Sequence, residues 1–436
     1  MTQVLNTRLC ALAMILMLTV ALPACSGGSP TTPSPQPFVS ADAPSAVDTD
    51  DGEVVTDYVS YVDGKAGAAD STLKPIGIGW VNVEGGAGES VPEATRAAHA
   101  AVQYVNERLG GIDGHPLTLK VCRIASAEEE GHRCGNRLLH DPDVQAVAFG
   151  SVFLGDTSFN AVMAGQKPVL VGVATGPSVP TAANTFILFG DLGHAFAPFG
   201  TYARDVLQAR TAAVIYENFP TGEAASAAVR AGMEAAGIRV TAVAFDPSTT
   251  DLLDSVTVAG AESADVIVPI AEGQGCVGIA KALTQLGNTR PVVAAPLCLS
   301  FAVAQGLGGD LPHWTFGIPH RLPTDAGSPD ARAYLEASAQ MGLTNLDATR
   351  VTAGTAWSEI LTYTKIFNTI GAENINPATV TAQLEQFTGP VVMGPPDVRC
   401  GQFADAPAVC NGHAKFYTYR GSGVFDEAAS WLGPPK

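Results

Sequence analysis

The stretch Val144–Ser178, VQAVAFGSVFLGDTSFNAVMAGQKPVLVGVATGPS, decides the fold. Two short apolar runs, Val144–Phe149 and Pro168–Val173, each end in a small-residue loop, Gly150–Thr157 and Ala174–Ser178. Between them, Thr157–Gly165 is compatible with a helix. Strand, loop, helix, strand, loop is the βαβ pattern of a parallel sheet. Ligands of open α/β sheets sit outside the carboxyl ends of the strands, so these two loops are the first place to look for a site.

The same pattern repeats outward. Pro75–Val83 reads as a strand, followed by the glycine-rich loop Glu84–Ser90 and a helix from Pro92 to about Leu109. Proline suits a first helical turn because its missing N–H would be unpaired there. Ala97, Ala101, Val102, Val105 and Leu109 recur at three- and four-residue steps, and Gly110-Gly111 stops the helix. Leu117–Ile124 is a strand and Glu128–His140 a second helix. A second βα series starts at Thr211–Tyr216. It continues through helix Gly222–Ala236, strand Ile238–Phe245, helix Asp251–Ala261, strand Asp265–Ile270 and helix Gly275–Leu286. Pro291–Pro296 and His313–Pro319 read as strands, Ser328–Met341 and Thr349–Gly371 as helices, the last with Trp357, Leu361, Thr364 and Phe367 inward.

At 436 residues the chain exceeds one ordinary domain, so two lobes are expected, and 46% apolar residues can supply a core for each. Lysine plus arginine total 24 against 42 acids, a formal net charge of −18. That balance argues against nucleic acid, whose phosphates need a basic face.

The N-terminus reads as an export signal. One basic residue, Arg8, precedes the apolar run Leu9–Leu22, which is followed by Leu22-Pro23-Ala24-Cys25. A cysteine at the new N-terminus makes it resemble a bacterial lipoprotein signal, with residues 1–24 removed and the Cys25 thiol diacylated. The expected location is outside the cytoplasm, on the cell membrane. Residues 25–74 read as the tether: proline, serine and threonine first, then an acidic cluster from Asp48 to Glu53, with at most a turn of structure over Val54–Val62. As a flexible coil it would span roughly 40 Å.

Six further cysteines, an even number in an exported chain, point to disulfides. The expected pairs are the nearest neighbours Cys122–Cys134, Cys276–Cys298 and Cys400–Cys410; a zinc site is the alternative, unsupported by any CxxC or HxxxH spacing.

IGIGWVNVEGGAGESVPEATRAAHAAVQYVNERLGGIDGHPLTLKVC resembles the start of bacterial periplasmic leucine/isoleucine/valine-binding proteins. Asn106, Gly110, Gly111, Ile112, Gly114 and Leu117 carry the resemblance, which continues in order and spacing to about Tyr419. It implies an α/β fold of two doubly wound parallel-sheet lobes joined by a three-strand hinge. The crossings fall near Phe186–Leu192, Gly317–Arg321 and Val391–Pro396. The lobes are then 75–189 plus 321–391, and 190–320 plus 392–436. The resemblance further implies a monomer that closes on a small molecule and docks on the permease of an ATP-driven importer. The same fold also serves sensory binding proteins.

Gly273-Gln274-Gly275-Cys276-Val277-Gly278 matches G-x-G-x-x-G, after a strand and opening a helix. It reads as a decoy: no acid follows the next strand to hold a ribose, and a disulfide at Cys276 would crowd the phosphates. No enzyme motif survives inspection, and neither a cofactor nor a metal is expected. The ligand set implied by the resemblance is Phe153, Leu154, Gly155, Ala174 and Thr175 on the first lobe. On the second it is Phe219, Thr221, Glu272, Gly273 and Leu297. Thr175 retains the family's carboxylate-binding threonine. Leucine at 297 replaces the family's ammonium-binding acid, so the expected ligand is less polar than a branched-chain amino acid.

Overall fold

The computed structural model describes residues 54–86 and 90–436. The signal, Cys25 and the tether through residue 53 lie outside the described residues. The first sheet holds β1 (Ile76–Val83), β2 (Leu117–Ile124), β3 (Val144–Phe149), β4 (Val169–Ala174) and β5 (Thr185–Asp191), all parallel, in the order β2-β1-β3-β4-β5. Alternate residues of one strand enter opposite cores: Ile78 and Trp80 on one face of β1, Val81 and Val83 on the other. A sheet covered on both faces needs such apolar runs.

The second lobe repeats the plan. Its strands β6 (Thr211–Glu217), β7 (Arg239–Phe245) and β8 (Val266–Ile270) order as β7-β6-β8. A bridge between Ile267 and Val292 joins them to β9 (Val293–Ala294), β10 (Thr315–Ile318), β11 (Ala414–Gly421) and β12 (Val424–Leu432). The pairings of β11 are antiparallel, a C-terminal hairpin that the apolar pattern does not announce. The strand expected over Pro291–Pro296 shrinks to β9, because a tight 3-10 turn begins at Pro296. The three nearest-neighbour disulfides all form.

Helix Val351–Ile370 is buried on nearly every side rather than on one stripe. It lies between the first sheet, the alanine-faced helix Pro92–Arg108 and a segment assigned above to the tether. That assignment is corrected over residues 54–74. Asp57 caps a short helix, Tyr58–Tyr61, by accepting from the Val59 and Ser60 amides. Val55, Tyr58, Tyr61 and Val62 enter the first-lobe core. Tyr58 meets the Tyr104 and Trp357 rings at centroid distances of 5.9 and 6.3 Å. The segment then follows the end of helix Pro92–Arg108, with the amides of Lys65, Gly67 and Ala69 donating to the carbonyls of Leu109, Arg108 and Asn106. Apolar residues at three- and four-residue spacing account for the docking.

The third crossing also moves. Val391–Met393 and Val398 stay in the first-lobe core, and the disulfide-closed loop Cys400–Cys410 lies along β5. Ile187 donates to Ala408 and Cys410 donates back to Ile187. The chain therefore leaves the first lobe at Asn411–Ala414, not at Val391–Pro396, and the second-lobe segment starts correspondingly later. Buried Arg321 ties the second crossing to this region, pairing with Asp330 at 3.2 Å and donating to the Gly394 carbonyl.

Candidate functional site

In each lobe the strand order reverses beside the first strand of its series: between β1 and β3, and between β6 and β8. Such reversals open a crevice at the carboxyl ends. A side chain spans the reversal in each lobe. Asn82, fully buried near the end of β1, accepts from the Ser151 amide 2.8 Å away, beyond β3. Its own amide donates to the Val91 carbonyl and the Thr95 hydroxyl. Glu217, the last residue of β6, accepts from the Glu272 amide 2.9 Å away, beyond β8. Burial raises the Glu217 pKa, and the Glu272 N–H offsets this only in part.

The two loops of the opening stretch are held as one unit. Asp156 is buried at the start of helix Asp156–Met163, where the helix dipole favours a carboxylate. It accepts from the Ser178 amide and, at 2.6 Å, from the Ser178 hydroxyl. Gly176 is required there, since a Cβ would lie 2.4 Å from the Asp156 carboxyl carbon. Beside this clamp the Thr175 hydroxyl is buried with no hydrogen-bond partner among the described residues. A buried hydroxyl lacking a partner is costly, and a ligand oxygen would satisfy it. Ala174 is buried at the end of β4. Phe153 and Leu154 are half-exposed and rest on the first-lobe core.

Gly155 has its amide engaged within the protein. It is buried with φ +82° against Gly131, and its amide already donates to Glu128. Burial would raise the Glu128 pKa, but the Ser158 and Gly155 amides bring it below the usual value. The Gly155 N–H is thus committed to the protein.

On the second lobe, the Cys276–Cys298 disulfide holds the turn carrying Leu297 beside the loop Glu272–Gly273. Leu297, Phe219, Thr221 and Gly273 are half-exposed, and the Glu272 side chain is exposed. The glycines of the G-x-G-x-x-G run serve packing: a Cβ at Gly275 would meet Ala271 and Phe245, and one at Gly278 would meet Leu252. A depression of about 430 Å³ lies elsewhere, around the Cys122–Cys134 disulfide with Arg123, Arg133 and Arg137. A smaller one of about 140 Å³ lies by Val54, Arg321 and Lys415. Neither is lined by the strand-end loops.

Asn82, Asp156 and Glu217 were not singled out from the sequence. The signal existed: Asn82 is the one polar side chain in IGIGWVNV, and Glu217 ends the apolar run AAVIYE.

The family described as periplasmic binding protein matches residues 75–408. No curated protein matches. Among solved structures, an ABC transporter substrate-binding protein from Sphaerobacter thermophilus is 16% identical. It covers 83% of this chain and 99% of its own, with a TM-score of 0.69. A leucine-binding protein from Thermotoga maritima is 15% identical over 83% and 99%, with a TM-score of 0.62. An ABC transporter solute-binding protein from R. palustris, in complex with 4-hydroxybenzoate, is 16% identical over 83% and 98%, with a TM-score of 0.63.

Proposed function

Because the chain belongs to the periplasmic binding protein family, we propose that it is a lipid-anchored, extracytoplasmic solute-binding protein of an ABC importer. It captures a small molecule between its lobes and delivers it to a permease. Cys25 carries the anchor. The lobes would close about the three crossings, with contacts from the second lobe favouring the closed state. The observation that carries this reading is the pair of bridged strand-order reversals, one per lobe, with the Thr175 hydroxyl, unpartnered among the described residues, beside the first.

The ligand is less polar than a branched-chain amino acid. Half-exposed Phe153, Leu154, Phe219 and Leu297 offer apolar surface, and position 297 carries no acid. The R. palustris protein bound to 4-hydroxybenzoate makes an aromatic body reasonable in this fold.

The test is native mass spectrometry of the protein purified without refolding, to weigh any co-purified molecule, followed by thermal shift with that compound and with leucine. Tight binding of leucine would sink the ligand class. Membrane association that persists in Cys25→Ala would sink the anchor.

A further inference from the structure

The two lobes solve one structural problem in two chemical ways. Each must hold the loop beyond its third strand against the end of its first. In the first lobe the uncharged Asn82 does this, with its donors and its acceptor all engaged. In the second lobe a carboxylate does it. One Glu217 oxygen accepts from the Glu272 amide, and no lysine, arginine or histidine among the described residues pairs with it. Glu217 is only 8% exposed. Burying a carboxylate without a counter-charge is costly, and Asn82 demonstrates that the bridging itself needs no charge. The carboxylate lies at the carboxyl edge of the second sheet, at the strand-order reversal where ligands of such sheets bind.

We propose that Glu217 is the charge anchor of the second lobe, so that the ligand carries a protonated nitrogen on an apolar body. This deepens the clamshell reading and rests on it. Leu297 and Phe219 then face the apolar part, while the cation sits against Glu217, two strand ends away from the position that Leu297 fills, with β8 between them.

The test uses probes that share a skeleton and differ in one charge: isopentylamine against isopentanol, and 2-phenylethylamine against 2-phenylethanol. Binding to the full soluble chain is followed by thermal shift and calorimetry, in wild type and in Glu217→Gln, which keeps an acceptor for the Glu272 amide. At least one amine should bind wild type more tightly than its alcohol and lose affinity by about tenfold or more in the variant, as expected for a charged hydrogen bond. The alcohols should bind both proteins alike. Alcohols that bind with amines no better would preserve the clamshell reading and overturn this proposal. So would an amine held equally by the variant, and so would failure of every amine to bind. An unfolding midpoint of unliganded Glu217→Gln no lower than that of wild type checks that any loss is not a folding defect.

Discussion

The Asn411 side-chain amide donates to the Phe189 carbonyl oxygen at 3.0 Å, joining the third crossing of the chain to the first. The same amide reaches the His413 carbonyl at 3.0 Å and lies 3.5 Å from that of Pro319, on the second crossing. Its oxygen accepts from the His413 amide. One fully buried side chain therefore knots all three passages between the lobes. Asn411→Ala should lower stability by at least about 2 kcal/mol, because several buried groups lose partners together. Asn411→Asp, unable to donate, should be no better. Urea unfolding reads both; a loss under about 0.5 kcal/mol would show that the knot is dispensable.

Glu359 is fully buried in helix Val351–Ile370, and neither carboxyl oxygen has a hydrogen-bond partner among the described residues. The Gly172 backbone N–H works against the effect of burial without overcoming it. A Cβ at 172 would lie 2.6 Å from Glu359 Oε1. Burial raises its pKa well above the carboxylate range, so the folded protein keeps this proton. Once pH exceeds the unfolded value, the unfolded chain releases the proton and the folded one does not, so stability falls as pH rises. The slope is at most about 1.4 kcal/mol per pH unit. Glu359→Gln removes the dependence. Its stability relative to wild type should climb between pH 5 and pH 8 in denaturant titrations; parallel curves would contradict this.

His194 touches both sides of the first crossing. Its Nδ1 lies 2.8 Å from Asp191, its Nε2 lies 3.7 Å from Asp405, and its ring packs on Phe403. Burial would lower its pKa, but the bonds to Asp191 and Asp405 raise it overall. The stabilisation is complete below the unfolded histidine value and fades as pH rises through the folded one. Asp405→Asn should narrow the stability difference between pH 5.5 and pH 8, and NMR titration of the His194 ring should give a lower pKa in the variant.

Tyr58 packs with Tyr104 and Trp357 on the first lobe. Tyr58→Ala should cost roughly 3 kcal/mol, as for a large buried aromatic. It should also expose residues 54–74 to limited proteolysis. A segment that resists cleavage as well as wild type would mean that Val55, Tyr61, Val62 and the backbone bonds of Lys65, Gly67 and Ala69 suffice to hold it.

The order of strands and helices was legible because both faces of a parallel sheet must be apolar and each helix carries its own period. Leu117–Ile124 and Glu128–His140 match residue for residue. Nearest-neighbour cysteines paired because short loops bring them together within one lobe. The C-terminal hairpin and the path of residues 391–414 were not legible, because irregular chain takes its course from the surface it meets.

Val144–Ser178 by itself determined a βαβ unit with two strand-end loops, since apolar period and glycine placement are local properties. Which groups in those loops remain free was decided only by tertiary structure. Glu128, distant in sequence, takes the Gly155 amide, while the Thr175 hydroxyl is buried without a partner among the described residues. In the second lobe, Glu217 and Glu272 are 55 residues apart and meet only because β6 and β8 pair. Charge and donor type are written in the chain, but whether a charge is matched depends on neighbours that folding brings from elsewhere.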